Sequence, residues 1–167
     1  MKTQMLIGYI YLCMGMAMGQ SYAQTTTADN ESALELIVSG ITSFSPSEDK
    51  TMVGSEVHLT YWVTPKWGGG LSYSGKFEDS AVLSDMALLG SWNPTRWLTV
   101  NTGPNFAFPH GEVREKFRLE LYMETEFNWR VSEKFHWGVF TGTVVSGEVE
   151  IAAGIHLGFE FPFQGTE

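Results

Sequence analysis

All six tryptophans of this chain stand on the shoulders of three short turns. Trp62 and Trp67 flank Val-Thr-Pro-Lys, Trp92 and Trp97 flank Asn-Pro-Thr-Arg, and Trp129 and Trp137 flank Arg-Val-Ser-Glu-Lys-Phe-His. An indole has an apolar body and a single N–H, so it settles where hydrocarbon gives way to headgroups. Indoles gathered at one end of successive hairpins are what a membrane-spanning sheet requires. The pattern predicts a girdle made by all six rings.

The residues between these turns alternate with period two, the signature of strands with one apolar face. The last such segment carries Ile151, Ala153, Ile155, Leu157, Phe159 and Phe161 on one side. Ala152, Gly154, His156, Gly158 and Glu160 lie on the other. Continued along the chain, the pattern gives strands at about 33–43, 54–64, 67–77, 81–92, 96–108, 115–130, 135–146 and 149–161. Each is of the order of the 9–11 residues that cross a bilayer when tilted, and eight is an allowed strand number for a closed barrel in lipid. The expected fold is therefore all-β, an eight-stranded antiparallel up-and-down transmembrane β-barrel over 33–163. The tryptophan turns form an internal repeat in which Lys66, Arg96 or Lys134 stands just before the aromatic that restarts the next strand. Proline marks two of the tips, because it fixes φ for a turn and cannot donate within a sheet.

One segment has two readings. Asp79 to Gly90 fits an amphipathic helix with Ser80 as N-cap and Gly90 beyond its end. A strand is preferred, because losing one strand leaves an open edge in lipid whose N–H and C=O groups have no partner.

The N-terminus supplies an address. Met1-Lys2 is a short positive region, Met5 to Met18 is apolar apart from Gly8 and Gly15, and Ser21-Tyr22-Ala23 is a small-x-small cleavage site. Residues 1–23 are expected to be a signal peptide and 24–32 a polar leader, with 164–167 a C-terminal tail. Cys13, the single cysteine, falls inside the apolar run, so the mature chain is expected to hold no thiol. Cleavage would leave 144 residues (167 minus 23) and remove Lys2, taking the net charge from −9 to about −10. An acidic chain is a poor partner for nucleic acid, and none is expected.

Alternation alone does not say which face is inside. A secreted soluble barrel or sandwich would bury the apolar face and wet the polar one. The glycines favour the membrane reading over a secreted lipocalin-like barrel, together with the tryptophan girdle: Gly68, Gly70, Gly138, Gly142, Gly154 and Gly158 fall on the polar face, where a narrow lumen needs small residues among large ones.

The C-terminal stretch His156-Leu157-Gly158-Phe159-Glu160-Phe161-Pro162-Phe163 resembles the terminal assembly signal of Gram-negative outer-membrane proteins. His156 takes its polar position, Gly158 its glycine, and Phe161 and Phe163 its spaced aromatics. Gln164 to Glu167 run past the usual end, and Pro162 cannot donate to a ladder. In length and layout the mature chain is similar to the OmpA-type transmembrane domain and to OmpX- and OmpW-like barrels. The resemblance implies an outer-membrane location, both barrel ends and the tryptophan turns in the periplasm, outer-membrane lipid and the barrel-assembly machinery as partners, and possible envelope-protein partners.

Chemistry is to be sought on the polar face. Expected there are Glu56, His58 and Thr60, Asp85, Asn101 and Asn105, then Arg118, Glu120, Tyr122, Glu124, Glu126 and Asn128, and finally His156 and Glu160. The favoured reading is a lumen packed with ion pairs and hydrogen bonds, as charges removed from water require. A second is a metal or proton site of His58, His156 and the glutamates, since imidazole with carboxylate suits Zn²⁺-like ions. No fixed ligand spacing supports it, and no metal or cofactor is expected. Acids outnumber bases on this face, so some carboxylates are expected to hold a proton or share a cation. A third is catalysis, because the similar small barrels include lipid A acyltransferases and deacylases. His58, His110, His136 and His156 have no serine beside them in a recognisable motif, and no enzyme is expected.

The longest loop is expected at Ser45–Val53, the others at Glu78–Ser80, Pro109–Arg114 and Gly147–Glu148. Tyr73, Phe106, Phe108 and Phe117 are expected to face lipid near the loop end. Such short loops favour a compact structural barrel, anchoring itself or a larger envelope complex, over an adhesin. The runner-up is a narrow pore or small-ligand or ion binder using the acidic lumen.

Overall fold

The computed structural model describes residues 32–78 and 81–163. The expected signal peptide, all of the leader before Ser32 and the tail at 164–167 lie outside the described residues. Eight strands follow one another: β1 (Ala33–Ser45), β2 (Lys50–Trp62), β3 (Trp67–Glu78), β4 (Ala81–Thr95), β5 (Leu98–Ala107), β6 (Arg118–Ser132), β7 (Phe135–Val145) and β8 (Val149–Pro162). Each pairs antiparallel with its neighbours in sequence, and β1 pairs with β8 to close the barrel. The seam runs from Ala33↔Pro162 to Phe44↔Ile151. Residues 81–90 are strand, which settles the ambiguous segment in favour of β.

The hairpins are tighter than expected in two places. β1 and β2 run on to Ser45 and Lys50, so the Ser45–Val53 connection shrinks to a turn over 46–49, with Asp49 at φ 53°. The turn expected over Asn93–Arg96 is displaced too. Asn93 to Thr95 extend β4 through a bulge opposite Thr99, and the Asn93 N–H donates to Lys66 O (2.9 Å). The long connection is instead 108–117, between β5 and β6. Inside the barrel the β4–β5 ladder skips Leu88 and Leu89 opposite Gly103 and Pro104, where proline has no N–H to give.

Period-two alternation sorts the side chains as a narrow barrel demands. Val38, Val57, Leu59, Leu71, Leu88, Leu121, Ile155 and Leu157 stand exposed on the outside. The inside holds charged and polar groups wedged among Ile37, Ile41, Leu83, Ala87, Leu89 and Phe140. A water-soluble barrel would have the opposite arrangement, and so apolar an exterior is at home in hydrocarbon. Tyr73, Phe108 and Phe117 are exposed on this outer face, and Phe106 and Phe108 lie 6.2 and 6.4 Å from Phe117.

Five of the six tryptophans follow the expected pattern, exposed on the exterior at one end of the barrel. Trp67 stacks on Trp92 at 5.9 Å, Trp129 on Trp137 at 4.9 Å and Trp97 on Phe127 at 6.1 Å. Trp62 departs from the girdle. It is 6% exposed against 59% for Trp67, and its Nε1 donates to Glu35 Oε2 inside the lumen (2.8 Å). The parity of β2 explains this: Trp62 shares a face with His58 and Thr60, and a buried carboxylate gives its N–H a partner.

Candidate functional site

The lumen is built in three layers. At the mouth between the non-tryptophan turns, Lys76 bridges Asp85 (3.1 Å) and Glu150 (2.5 Å). Arg114 reaches the same layer from the 108–117 connection. A turn with paired bonds between His110 and Arg114, made possible by Gly111 at φ +54°, folds it inward. Its guanidinium then donates to Asp85 Oδ1 (2.5 Å), Ser84 O and Phe108 O (both 3.2 Å). Asn105 donates to Glu120 (2.8 Å), and Glu120 also meets Arg118 Nε at 3.1 Å. Arg118 was expected within the lumen. It lies at the rim with an exposed side chain, because β6 begins there and has no further turn of barrel above it.

The middle layer is acidic. Glu56 accepts from Ser72 (2.9 Å) and, at 3.4 Å, from the Tyr122 hydroxyl, which lies closer to Glu124 (2.8 Å). Asn101 spans the two glutamates of β6, donating to Glu124 (3.1 Å) and Glu126 (2.6 Å). His58 stands among them, with Nε2 3.1 Å from Glu56 and Nδ1 3.8 and 3.7 Å from Glu124 and Glu126. Neither of its ring nitrogens makes a hydrogen bond, and Glu126 Oε2 likewise has none. His156 is spoken for elsewhere: its Nε2 lies 2.7 Å from Asn128 Oδ1, and Asn128 continues to Thr99 (3.0 Å) and Thr99 to Asn93 (2.7 Å).

The tryptophan-end layer contains Glu35, Trp62, His136, Glu160 and Arg130. Arg130 grips Glu160 with both terminal nitrogens, one at 3.0 Å. His136 lies between Glu35 (3.5 Å) and Glu160 (3.6 Å). Glycines make room for the rings, His136 lying over Gly158 and His156 over Gly138.

The expected lumen residues Glu56, His58, Glu120, Glu124, Glu126, His156 and Glu160 thus all point inward, and the structure adds Glu35, Lys76, Arg114, His136 and Glu150. Strand parity in β1, β3, β7 and β8 carries the signal for all of these except Arg114, which lies in a loop. Of the expected assembly signal, His156 and Gly158 face the lumen, while Phe161 and Phe163 are exposed on the exterior. Phe163 falls just past β8, where its N–H donates to Ser32 O (2.9 Å). A cavity of about 20 Å³ separates the middle and mouth layers, room for roughly one water.

An apolar exterior, a closed meander of eight strands and a polar plug define an eight-stranded barrel of the outer-membrane type. Solved structures of the same fold include the N-terminal β-barrel domain of Pseudomonas aeruginosa OprF, with a TM-score of 0.58 and 16% identity over 77% of this chain and 97% of that one. Neisserial surface protein A gives a TM-score of 0.55 and 11% identity over 79% and 97% of the two chains. Ail of Yersinia pestis, solved with the heparin analogue sucrose octasulfate, gives 0.51 and 12% over 80% and 100%. These are outer-membrane eight-stranded barrels, and at such identities the likeness is one of fold. No protein-family model matches the chain, and no curated protein matches it in sequence.

Proposed function

We propose that this chain is an integral outer-membrane β-barrel with a mechanical role, as an anchor or as a member of a larger envelope complex. The observation that carries the reading is the pairing of an apolar exterior with a lumen filled by side chains, whose cavity has room for about one water. Such a barrel holds its place in lipid and conducts nothing. Export through the signal peptide, insertion by the barrel-assembly machinery through the 156–163 segment, and lipid and envelope proteins as partners belong to the same reading. No catalytic step is assigned: among the described residues the side-chain hydrogen bond made by a histidine is that of His156 with Asn128, and none joins a histidine to a serine. The sulfated sugar bound by Ail does not carry over, because a chain of net charge −9 repels polyanions.

Cell fractionation with gel migration of unboiled against boiled protein tests the location. The expected result is recovery in outer membranes and a migration shift that boiling abolishes. Recovery as a soluble periplasmic protein without a shift overturns the reading. Reconstitution in planar bilayers tests the plug. Wild type is expected to give no unitary conductance, and conductance that changes in Glu124→Ala or Arg118→Ala would replace the mechanical role with a narrow pore.

A further inference from the structure

We propose that the middle layer of the lumen is a binding site for one divalent metal ion of the Zn²⁺ class, held by Glu56, His58 and Glu124. Each of these side chains offers one ligand atom, and the three atoms lie within 4.8 Å of one another, close enough to converge on a single ion. All three residues are buried, and they come from β2 and β6, two rigid strands on different parts of the barrel wall.

Two independent features point to a cation. His58 is 2% exposed and surrounded by three carboxylates, yet neither ring nitrogen makes a hydrogen bond. A buried imidazole normally has a partner on at least one nitrogen, and one left so is a donor set waiting for an acceptor of its lone pair. The second feature is charge. Among the described residues no lysine or arginine pairs with Glu56, Glu124 or Glu126 in this layer, while Lys76 and Arg114 serve Asp85 at one mouth and Arg130 serves Glu160 at the other. Three carboxylates gathered out of water are costly, and a divalent ion offsets two of their charges at once.

The surroundings have the form of a supporting shell. Asn101 fixes Glu124 from one side and Tyr122 from the other, while Ser72 fixes Glu56. Ligating carboxylates are held by such bonds. The cavity borders Glu56 and Glu124 and continues to Lys76 and Asp85 near the mouth, so a water or an ion has space next to the ligands. One imidazole with carboxylate oxygens suits Zn²⁺ and its neighbours in the first transition row. The related group Glu35, His136 and Glu160 at the tryptophan end shares the first feature, since neither ring nitrogen of His136 makes a hydrogen bond, but not the second: Arg130 already occupies Glu160, and Trp62 donates to Glu35.

The test is Zn²⁺ competition against a chromophoric chelator, using the full chain folded in detergent and stripped with EDTA, with gel migration reporting the fold. One equivalent is expected to bind. His58→Gln and Glu124→Gln are expected to weaken binding by about 10–100-fold or more, and His136→Gln to leave it unchanged. X-ray absorption of the Zn²⁺-loaded wild type should show one imidazole among oxygen ligands. No binding by the folded wild type, binding indifferent to His58→Gln and Glu124→Gln, or loss confined to His136→Gln overturns the site. If both middle-layer variants fail to fold, unchanged binding in His136→Gln with a one-imidazole spectrum supports it, and any other combination overturns it.

Discussion

The imidazole of His136 lies over Gly158, its partner across the β7–β8 ladder, in the space where a β-carbon on residue 158 would stand. Gly158→Ala is therefore expected to force the ring aside and cost about 1–3 kcal/mol, the range for overpacking a filled interior. Adding His136→Ala should recover much of that loss, giving a coupling in the double-mutant cycle. Urea unfolding in detergent measures it without the assembly machinery, so a defect there separates packing from any role of Gly158 in the assembly signal. Equal stabilities for wild type and Gly158→Ala would show that the ring does not need the glycine.

Trp62 and Trp67 flank the same turn and face opposite ways. In single-tryptophan variants reconstituted with brominated lipid, Trp67 should be strongly quenched and Trp62 nearly untouched. Trp62→Phe should also cost about 1–3 kcal/mol by leaving Glu35 without its buried donor. Equal quenching of the two would return Trp62 to the girdle.

Ile155 is 65% exposed on the outer face of β8. In a bilayer, Ile155→Arg should destabilise the barrel by about 2–4 kcal/mol, the cost of a cation near the midplane. On a barrel surrounded by water the same substitution would fall within about 0.5 kcal/mol of neutral. Reversible unfolding from liposomes distinguishes the two.

Arg114 ties the 108–117 connection to Asp85 at the mouth. Arg114→Ala should release that loop, and proteinase K added to folded barrels in liposomes should cut it several-fold faster than wild type. Asp85 keeps Lys76, so the barrel itself should stay closed and still migrate as folded. Unchanged cleavage would mean that the loop is held by its backbone turn alone.

Most of the fold was legible because hydrocarbon outside and a narrow lumen inside both enforce strict alternation, and alternation is visible residue by residue. The same rule places Glu35, Lys76 and His136 inside, yet the sequence reading passed over them. Trp62 shows the competition directly: its place beside a turn argued for the girdle, its parity with His58 argued for the lumen, and the Glu35 carboxylate decided. Arg114 was beyond reach of any period, since its position depends on a turn between His110 and itself that folds a loop back into the mouth. The loop lengths misled for a related reason. Polar Ser47, Glu48 and Lys50 read as a long loop, whereas at the end of a barrel strands extend past the hydrocarbon into water without losing their pairing.

The β1–β8 seam has a consequence for how this barrel comes into being. Every other pairing joins strands adjacent along the chain and can form soon after they are made, but Ala33↔Pro162 brings together the two ends of the sheet. Until β8 docks, β1 and β8 each present a free edge, and the half-built sheet is a template for pairing with a second copy. Ring closure is thus a late, all-or-none step of high contact order, and the hazard of strand exchange between chains is greatest just before it.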